Sequence, residues 1–239
     1  MNSLRTSLFI KKQARNVLSR LYRIYYEEKG RFLSPDEFFP IDLNKVISTV
    51  MNWELESVSD IGYDRNGQML RGRCDYDNKL IRIAFQDVSP AEKNFTIAHE
   101  IGHAILHADS NRLSPVSERK RTIRRIANLI STSEERKKEK EANIFAAELL
   151  MPEKAVRDYF SRVFGYKEIW LGSMRAQQFI KDFNKKSQKP FFNLISVKDI
   201  APYFTAYKKT GSQPSIREFF GVSTAAMSIR LLELNLIFE

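Results

Sequence analysis

The run from Ser89 to His107, SPAEKNFTIAHEIGHAILH, constrains the fold more than any other stretch of the chain. Ser89 is a natural N-cap, Pro90 suits the first helical position, and Glu92 stands where it closes a capping box. Together they predict a helix that opens at Pro90 and runs to about His107, ahead of Asp109-Ser110-Asn111. Inside it lies the pattern H-E-x-x-H, with His99 and His103 one turn apart. Four residues rotate by about 400° and rise by about 6 Å, so both imidazoles leave nearly the same face. Two imidazoles so placed can reach one tetrahedral zinc ion. Glu100 lies one step round the same wall, where it can take a proton from an attacking water without becoming a ligand. All three histidines fall between positions 99 and 107, which scattered structural histidines would seldom do.

A zinc site needs a third protein ligand. His107 is eight residues from His99, about 12 Å along an unbroken helix, too far to share the ion. Its expected role is at the helix end, against the terminal carbonyls or a neighbour. A second long helix is predicted from about Glu134 to Leu150, stopping before Pro152. Its sequence turns abruptly from charged to almost wholly apolar at EANIFAAELLMP. A helix apolar on nearly all sides is buried, so its acids need a reason to be there. Glu141 stands at the entry to that segment and is the preferred third ligand, with Glu148 as the alternative. Glu139 is assigned to the solvated charge run.

Elsewhere the chain reads as a mixture of helices and short strands. Val17, Leu18, Leu21, Ile24 and Tyr25 predict a helix from about Lys11 to Lys29, ended by Gly30. Asp42 caps a second helix carrying Leu43, Val46, Ile47 and Val50. Strands are expected at Trp53–Glu56, Met69–Cys74 and Leu80–Phe85, with turns at Asn66-Gly67 and Asp77-Asn78, and with Ile81, Ile83 and Phe85 on one face. A basic stretch, ERKRTIRRIANLI, separates the two long helices. The segment 184–190, NKKSQKP, is the expected linker. Beyond it, SIREFFGVSTAAMSIRLLEL predicts two short helices joined at Gly221, the second capped by Ser223 and closed by a left-handed Asn235.

At this point the chain resembles a known family. HEIGHAILH followed by EANIFAAELLMP is similar to the ImmA/IrrE metallo-endopeptidases, a gluzincin-like group, and the similarity runs from about Ile41 to Pro152. The resemblance implies an α+β, zincin-like domain with a small antiparallel sheet and an active-site helix carrying H-E-x-x-H. It implies Zn2+ held by His99, His103 and Glu141, with Glu100 catalytic. It also implies site-specific cleavage of a helix-turn-helix repressor. The strand Leu80–Phe85 is similar to the edge strand on which zincins lay an extended substrate. The stretch between His103 and Glu141 is longer and more basic than is usual in the family.

The expected organisation is therefore a metallopeptidase domain over residues 1–183 and a small helical, helix-turn-helix-like domain over 191–239. A formal charge of +10 and a pI near 9.6 raise the question of a polyanionic partner. Thr224, Ala225, Ser228 and Arg230 would then lie near a DNA groove. A helical pair that packs on the catalytic domain or holds a protein substrate is preferred over that reading. The rival class is a DNA-binding regulator or toxin–antitoxin component with a structural or vestigial metal site. A single cysteine, Cys74, excludes an internal disulfide, and with no signal peptide or membrane span the expectation is a cytoplasmic protein.

Overall fold

The computed structural model describes residues 2–63, 69–84, 88–108, 124–174, 176–178, 181, 196–209 and 213–239. The expected turn at Asn66-Gly67, the strand residue Phe85, the stop at Asp109-Ser110-Asn111, residues 118–123 of the basic stretch and the linker at 184–190 lie outside these. Contacts divide the chain into two units, Met1–Leu150 and Met151–Glu239.

In the first unit, helix α1 (Asn2–Lys29) starts well before the predicted position. It buries Ile10, Ala14, Val17 and Leu21, one stripe at three- and four-residue spacing. Gly30 ends it in the left-handed region at φ +66°, donating its N–H to Tyr26 O at 2.8 Å. A short α2 (Pro35–Phe38) follows. The Asp42 carboxylate then accepts the Lys45 N–H and opens α3 (Leu43–Lys45), which continues as a π-helical turn over Val46–Met51. The apolar positions read from the sequence, Leu43, Val46, Ile47 and Val50, are all buried.

Three strands, β1 (Glu54–Val58), β2 (Gly72–Asp75) and β3 (Leu80–Ala84), form a sheet in the order β1-β3-β2. The sheet is mixed, where an antiparallel one was expected. β2 and β3 make an antiparallel hairpin through residues 76–79, whereas β1 runs parallel to β3. The long connection from β1 to β2 carries the chain past one strand position, and the hairpin folds β3 back into that gap. β3 is consequently the central strand, so the expectation that Leu80–Phe85 forms an edge is corrected. The edges are β1 and β2. Ile81 and Ile83 are fully buried on one face of β3. On the other, Arg82 reaches Glu56 at 2.8 Å and Asp75 at 3.8 Å, spanning both neighbouring strands.

Helix α4 (Pro90–Leu106) begins with the predicted capping box: Ser89 accepts the Glu92 N–H, and the Glu92 carboxylate accepts the Ser89 N–H at 3.0 Å. It buries Ile97, Ala98, Ile101 and Ala104 against β2, β3 and α5 (Arg124–Leu150). Gly102 lets the two helices approach closely. A Cβ added there would lie 3.2 Å from both Cα and O of Ala142. From α5, Ala142, Phe145, Ala146 and Leu149 are fully buried, as the apolar run EANIFAAELLMP required.

The second unit contains α6 (Glu153–Phe164), β4 (Ile169–Trp170), α7 (Val197–Ala206), α8 (Ile216–Phe220), α9 (Thr224–Glu233) and β5 (Ile237–Phe238), with β4 and β5 paired in parallel. The α8–α9 pair follows its sequence closely. Gly221 is left-handed at φ +65°, Ser223 accepts the Ala226 N–H, and Asn235 is left-handed at φ +50°. The sequence reading assigned α6 to the catalytic domain, but α6 packs with the C-terminal helices. Tyr159 stacks on Phe219 with ring centroids 3.9 Å apart and donates its hydroxyl proton to Pro214 O at 2.6 Å. By contacts, the compact unit that holds this aromatic face begins at Met151. None of the described helices is long and apolar enough to cross a membrane.

Candidate metal centre

The capped start of α4 sets the rotation of everything after it, and it brings His99 and His103 out on the side facing α5. Their Nε2 atoms stand 3.0 Å apart. Between them lies the carboxylate of Glu139, with Oε2 at 3.1 Å from His99 Nε2 and Oε1 at 3.2 Å from His103 Nε2. Two imidazole nitrogens and a carboxylate oxygen so converge on one point. Tetrahedral ligands about 2 Å from a zinc ion are separated by roughly 3.3 Å, so this donor set fits a single ion. Among the protein groups alone, the imidazoles hold Glu139 well below the usual carboxylate range through its hydrogen bonds to His103 and His99. Burial opposes charge on His99, but the bond to Glu139, reinforced by the charge of Glu100, outweighs it and raises its pKa.

Glu141 is elsewhere. Its carboxylate lies 3.7 Å from His107 Nε2 and 3.9 Å from Lys137 Nζ, and Glu139 takes the place beside the imidazoles that the sequence reading gave to Glu141. The physical reason is helical rotation. Two residues turn the helix by about 200°, so Glu139 and Glu141 leave α5 in nearly opposite directions. Glu148, the alternative ligand, has a fully buried side chain that accepts a hydrogen bond from Arg15 Nε of α1 at 2.7 Å. His107 is buried at the end of α4, its N–H bonded to His103 O at 3.0 Å, consistent with a helix-end role.

Asn143 was not singled out from the sequence. Its Oδ1 accepts a hydrogen bond from His99 Nδ1 at 3.0 Å, so Nε2 is the nitrogen whose lone pair a bound metal would take once its proton leaves. A signal for both missed residues was available. Glu139 and Asn143 are four apart and share a face, and Asn143 is a polar residue inside the most apolar part of α5.

Glu100 points to the opposite wall, against edge strand β2. The residue is 7% exposed. Burial pushes its carboxyl pKa up, although His103, His99 and a hydrogen bond from Cys74 pull the other way. Cys74 Sγ lies 3.1 Å from Glu100 O and 3.3 Å from Oε2. Burial and the neighbouring carboxylate push that thiol upward, so it stays protonated and acts as a donor. A cleft of about 510 Å³ opens over these groups, bounded by Gly72, Cys74, His99, Glu100, His103 and Glu139.

The residues offered for DNA contact are not arranged for it. Arg230 is 2% exposed and donates from Nε to Met151 O at 3.0 Å, and Ser228 is buried with its hydroxyl bonded to Thr224 O. The exposed face of α9 carries Ala225, Ile229 and Glu233, with no basic side chain to meet a phosphate.

A mostly helical scaffold, a small mixed sheet and a His-His-carboxylate cluster together define an α+β protein with a candidate metal centre. The family of M78 peptidases, described as the IrrE N-terminal-like domain, matches residues 61–181, which is more than half of the chain, and the chain belongs to that family. No curated protein matches it. Among solved structures, a Mycobacterium tuberculosis transcriptional regulator is similar at a TM-score of 0.36 and 16% identity, over 69% of this chain and 45% of that one. This chain thus spans less than half the length of that regulator.

Proposed function

We propose that the protein is a zinc-dependent endopeptidase in which His99, His103 and Glu139 hold the metal and Glu100 is the general base. One observation carries the reading: three donors converge on one point while a fourth side chain, Glu100, stays out of the ligand set, buried in the same cleft. A bound zinc ion would activate water and polarise the scissile carbonyl. Glu100 takes the proton from the attacking water and later passes it to the leaving amine. A carboxyl whose pKa is raised by burial is suited to both transfers. His99 is kept in one tautomer by its hydrogen bond to Asn143.

Substrate binding belongs at β2 rather than β3. β2 borders the cleft, and no strand pairs with its outer edge among the described residues. A peptide in extended form would add there as a fourth strand, its main chain beside Glu100. The membership of the M78 family supports a protein substrate, and a DNA-binding repressor is the substrate we propose. The acidic and apolar exposed face of α9 speaks against the rival reading as a DNA-binding regulator.

The test incubates the purified protein with a panel of small helix-turn-helix repressors, any encoded beside its gene included. Cleavage with zinc, its loss with chelator, and its loss in a Glu100→Gln variant that still binds zinc are the expected results. Full cleavage by Glu100→Gln, or none by wild type whatever the metal, sinks the proposal.

A further inference from the structure

Gly72 is the first residue of β2, paired opposite Ile83 of β3. Glycine weakens a strand, and its presence there calls for a reason. Its backbone supplies none, because Gly72 is not among the glycines with positive φ. The reason lies in the space a side chain would take. A Cβ built on Gly72 would stand 2.6 Å from Oε1, 2.7 Å from Cγ and 2.9 Å from Cδ of Glu100. All three nearest atoms belong to that one side chain, so Glu100 fills the slot that the missing Cβ leaves. Two residues along the same face, Cys74 brings its Sγ to 3.3 Å from Glu100 Oε2.

We infer that Gly72 and Cys74 are positioning residues for Glu100, the first by opening a slot in the edge strand and the second by a hydrogen bond that orients the carboxylate within it. The geometry stands by itself, while its catalytic consequence rests on the peptidase reading. The displaced group in a Gly72→Ala variant is the flexible Glu100 side chain from Cγ outward, and none of it is backbone. Glu100 therefore swings out of the slot and the strand keeps its place. Catalysis suffers and folding does not.

The experiment compares zinc-loaded wild type, Gly72→Ala, Cys74→Ala, Cys74→Ser and Glu100→Gln on a proteome-derived peptide library read by mass spectrometry. For Gly72→Ala, zinc stoichiometry and thermal unfolding stay at wild-type values, and kcat on any peptide cut falls by about a hundredfold, the scale of a misplaced catalytic group. A carboxylate already out of place in Gly72→Ala has less left to lose when it is made an amide. Glu100→Gln accordingly costs less in the Gly72→Ala background than in wild type, a non-additive cycle. Full kcat in Gly72→Ala, or an additive cycle, overturns the inference. If Gly72→Ala does not fold, the cysteine pair decides. Loss in Cys74→Ala with recovery in Cys74→Ser supports the inference, and equal activities overturn it. If wild type and Glu100→Gln alike cut nothing, the peptidase reading has failed, and a crystal structure of Gly72→Ala decides the positioning alone. Glu100 moved off β2 upholds it, and Glu100 unmoved refutes it.

Discussion

His99 Nδ1 and Asn143 Oδ1 stand 3.0 Å apart, joining the helix that carries the H-E-x-x-H pattern to the helix that carries Glu139. The amide oxygen accepts the imidazole proton, and that fixes which ring nitrogen is left for a metal. It also ties the rotation of the His99 ring to α5, the element that supplies the carboxylate.

Removing that bond while leaving the donor set intact is therefore expected to weaken metal binding without abolishing it. Asn143→Ala should lower zinc affinity by about 10- to 100-fold, the usual consequence of losing a hydrogen-bond partner behind a metal-bound histidine. A competition titration against a chromogenic chelator measures it. Unchanged affinity would mean that the Asn143 bond has no part in the centre.

The two glutamates at the start of the apolar segment give a sharper contrast. Glu139 bridges both imidazoles, whereas Glu141 stands by His107 and Lys137. Glu139→Gln should lose zinc on dialysis, and Glu141→Gln should keep one ion per chain. Metal analysis of the two dialysed variants reads this directly, and the opposite pattern would restore Glu141 as the ligand.

Local rules written in single residues were legible in the sequence. Ser89, Pro90 and Glu92 located the start of α4, and the rotation of that helix then placed His99 and His103 together. Gly221 and Asn235 marked left-handed positions from residue type alone. Relations between distant elements were less legible. Periodicity identifies Ile81 and Ile83 as core but says nothing of strand order, so the central place of β3 and its parallel pairing with β1 were hidden. Glu139 was set aside because it sits in a charged run, and its side chain is indeed 59% exposed. Exposure and ligation are compatible at the mouth of a cleft, and composition cannot separate them. The aromatic contact of Tyr159 with Phe219 was hidden for a similar reason, since it joins residues far apart in the chain.

Gly102 links packing to the metal centre. It lies between His99 and His103 in sequence and presses on Ala142, close to both Glu139 and Asn143. Leucine there has better intrinsic helix propensity than glycine, but the space is absent: even a Cβ would be 3.2 Å from Ala142 backbone atoms and from Phe145 Cδ1. Gly102→Leu should destabilise the protein by about 1–3 kcal/mol through overpacking. Because the strain pushes α4 and α5 apart, zinc affinity should fall with stability. Denaturant unfolding and the chelator titration, run on the same preparation, check both. Stability lost with affinity intact would separate the helix contact from the centre.

His107 sets an acid limit on the metal-free fold. Burial, with the charges of His103 and Lys138 acting in the same direction, lowers its pKa from the ordinary 6.5 to about 4, against the Lys138 backbone bond and the pull of Glu139. The Glu141 carboxylate also faces it at 3.7 Å, without reversing that direction. A histidine whose folded pKa is depressed binds its proton less readily in the native chain than in the unfolded one. Stability is thus fully present above about pH 6.5, declines as the pH falls from there, and levels off below about pH 4. The loss attributable to this one group is of the order of a few kcal/mol. Urea unfolding of chelator-treated protein across that window should show the decline in wild type and a flatter profile in His107→Gln. Parallel profiles in the two proteins would assign the acid sensitivity to other groups.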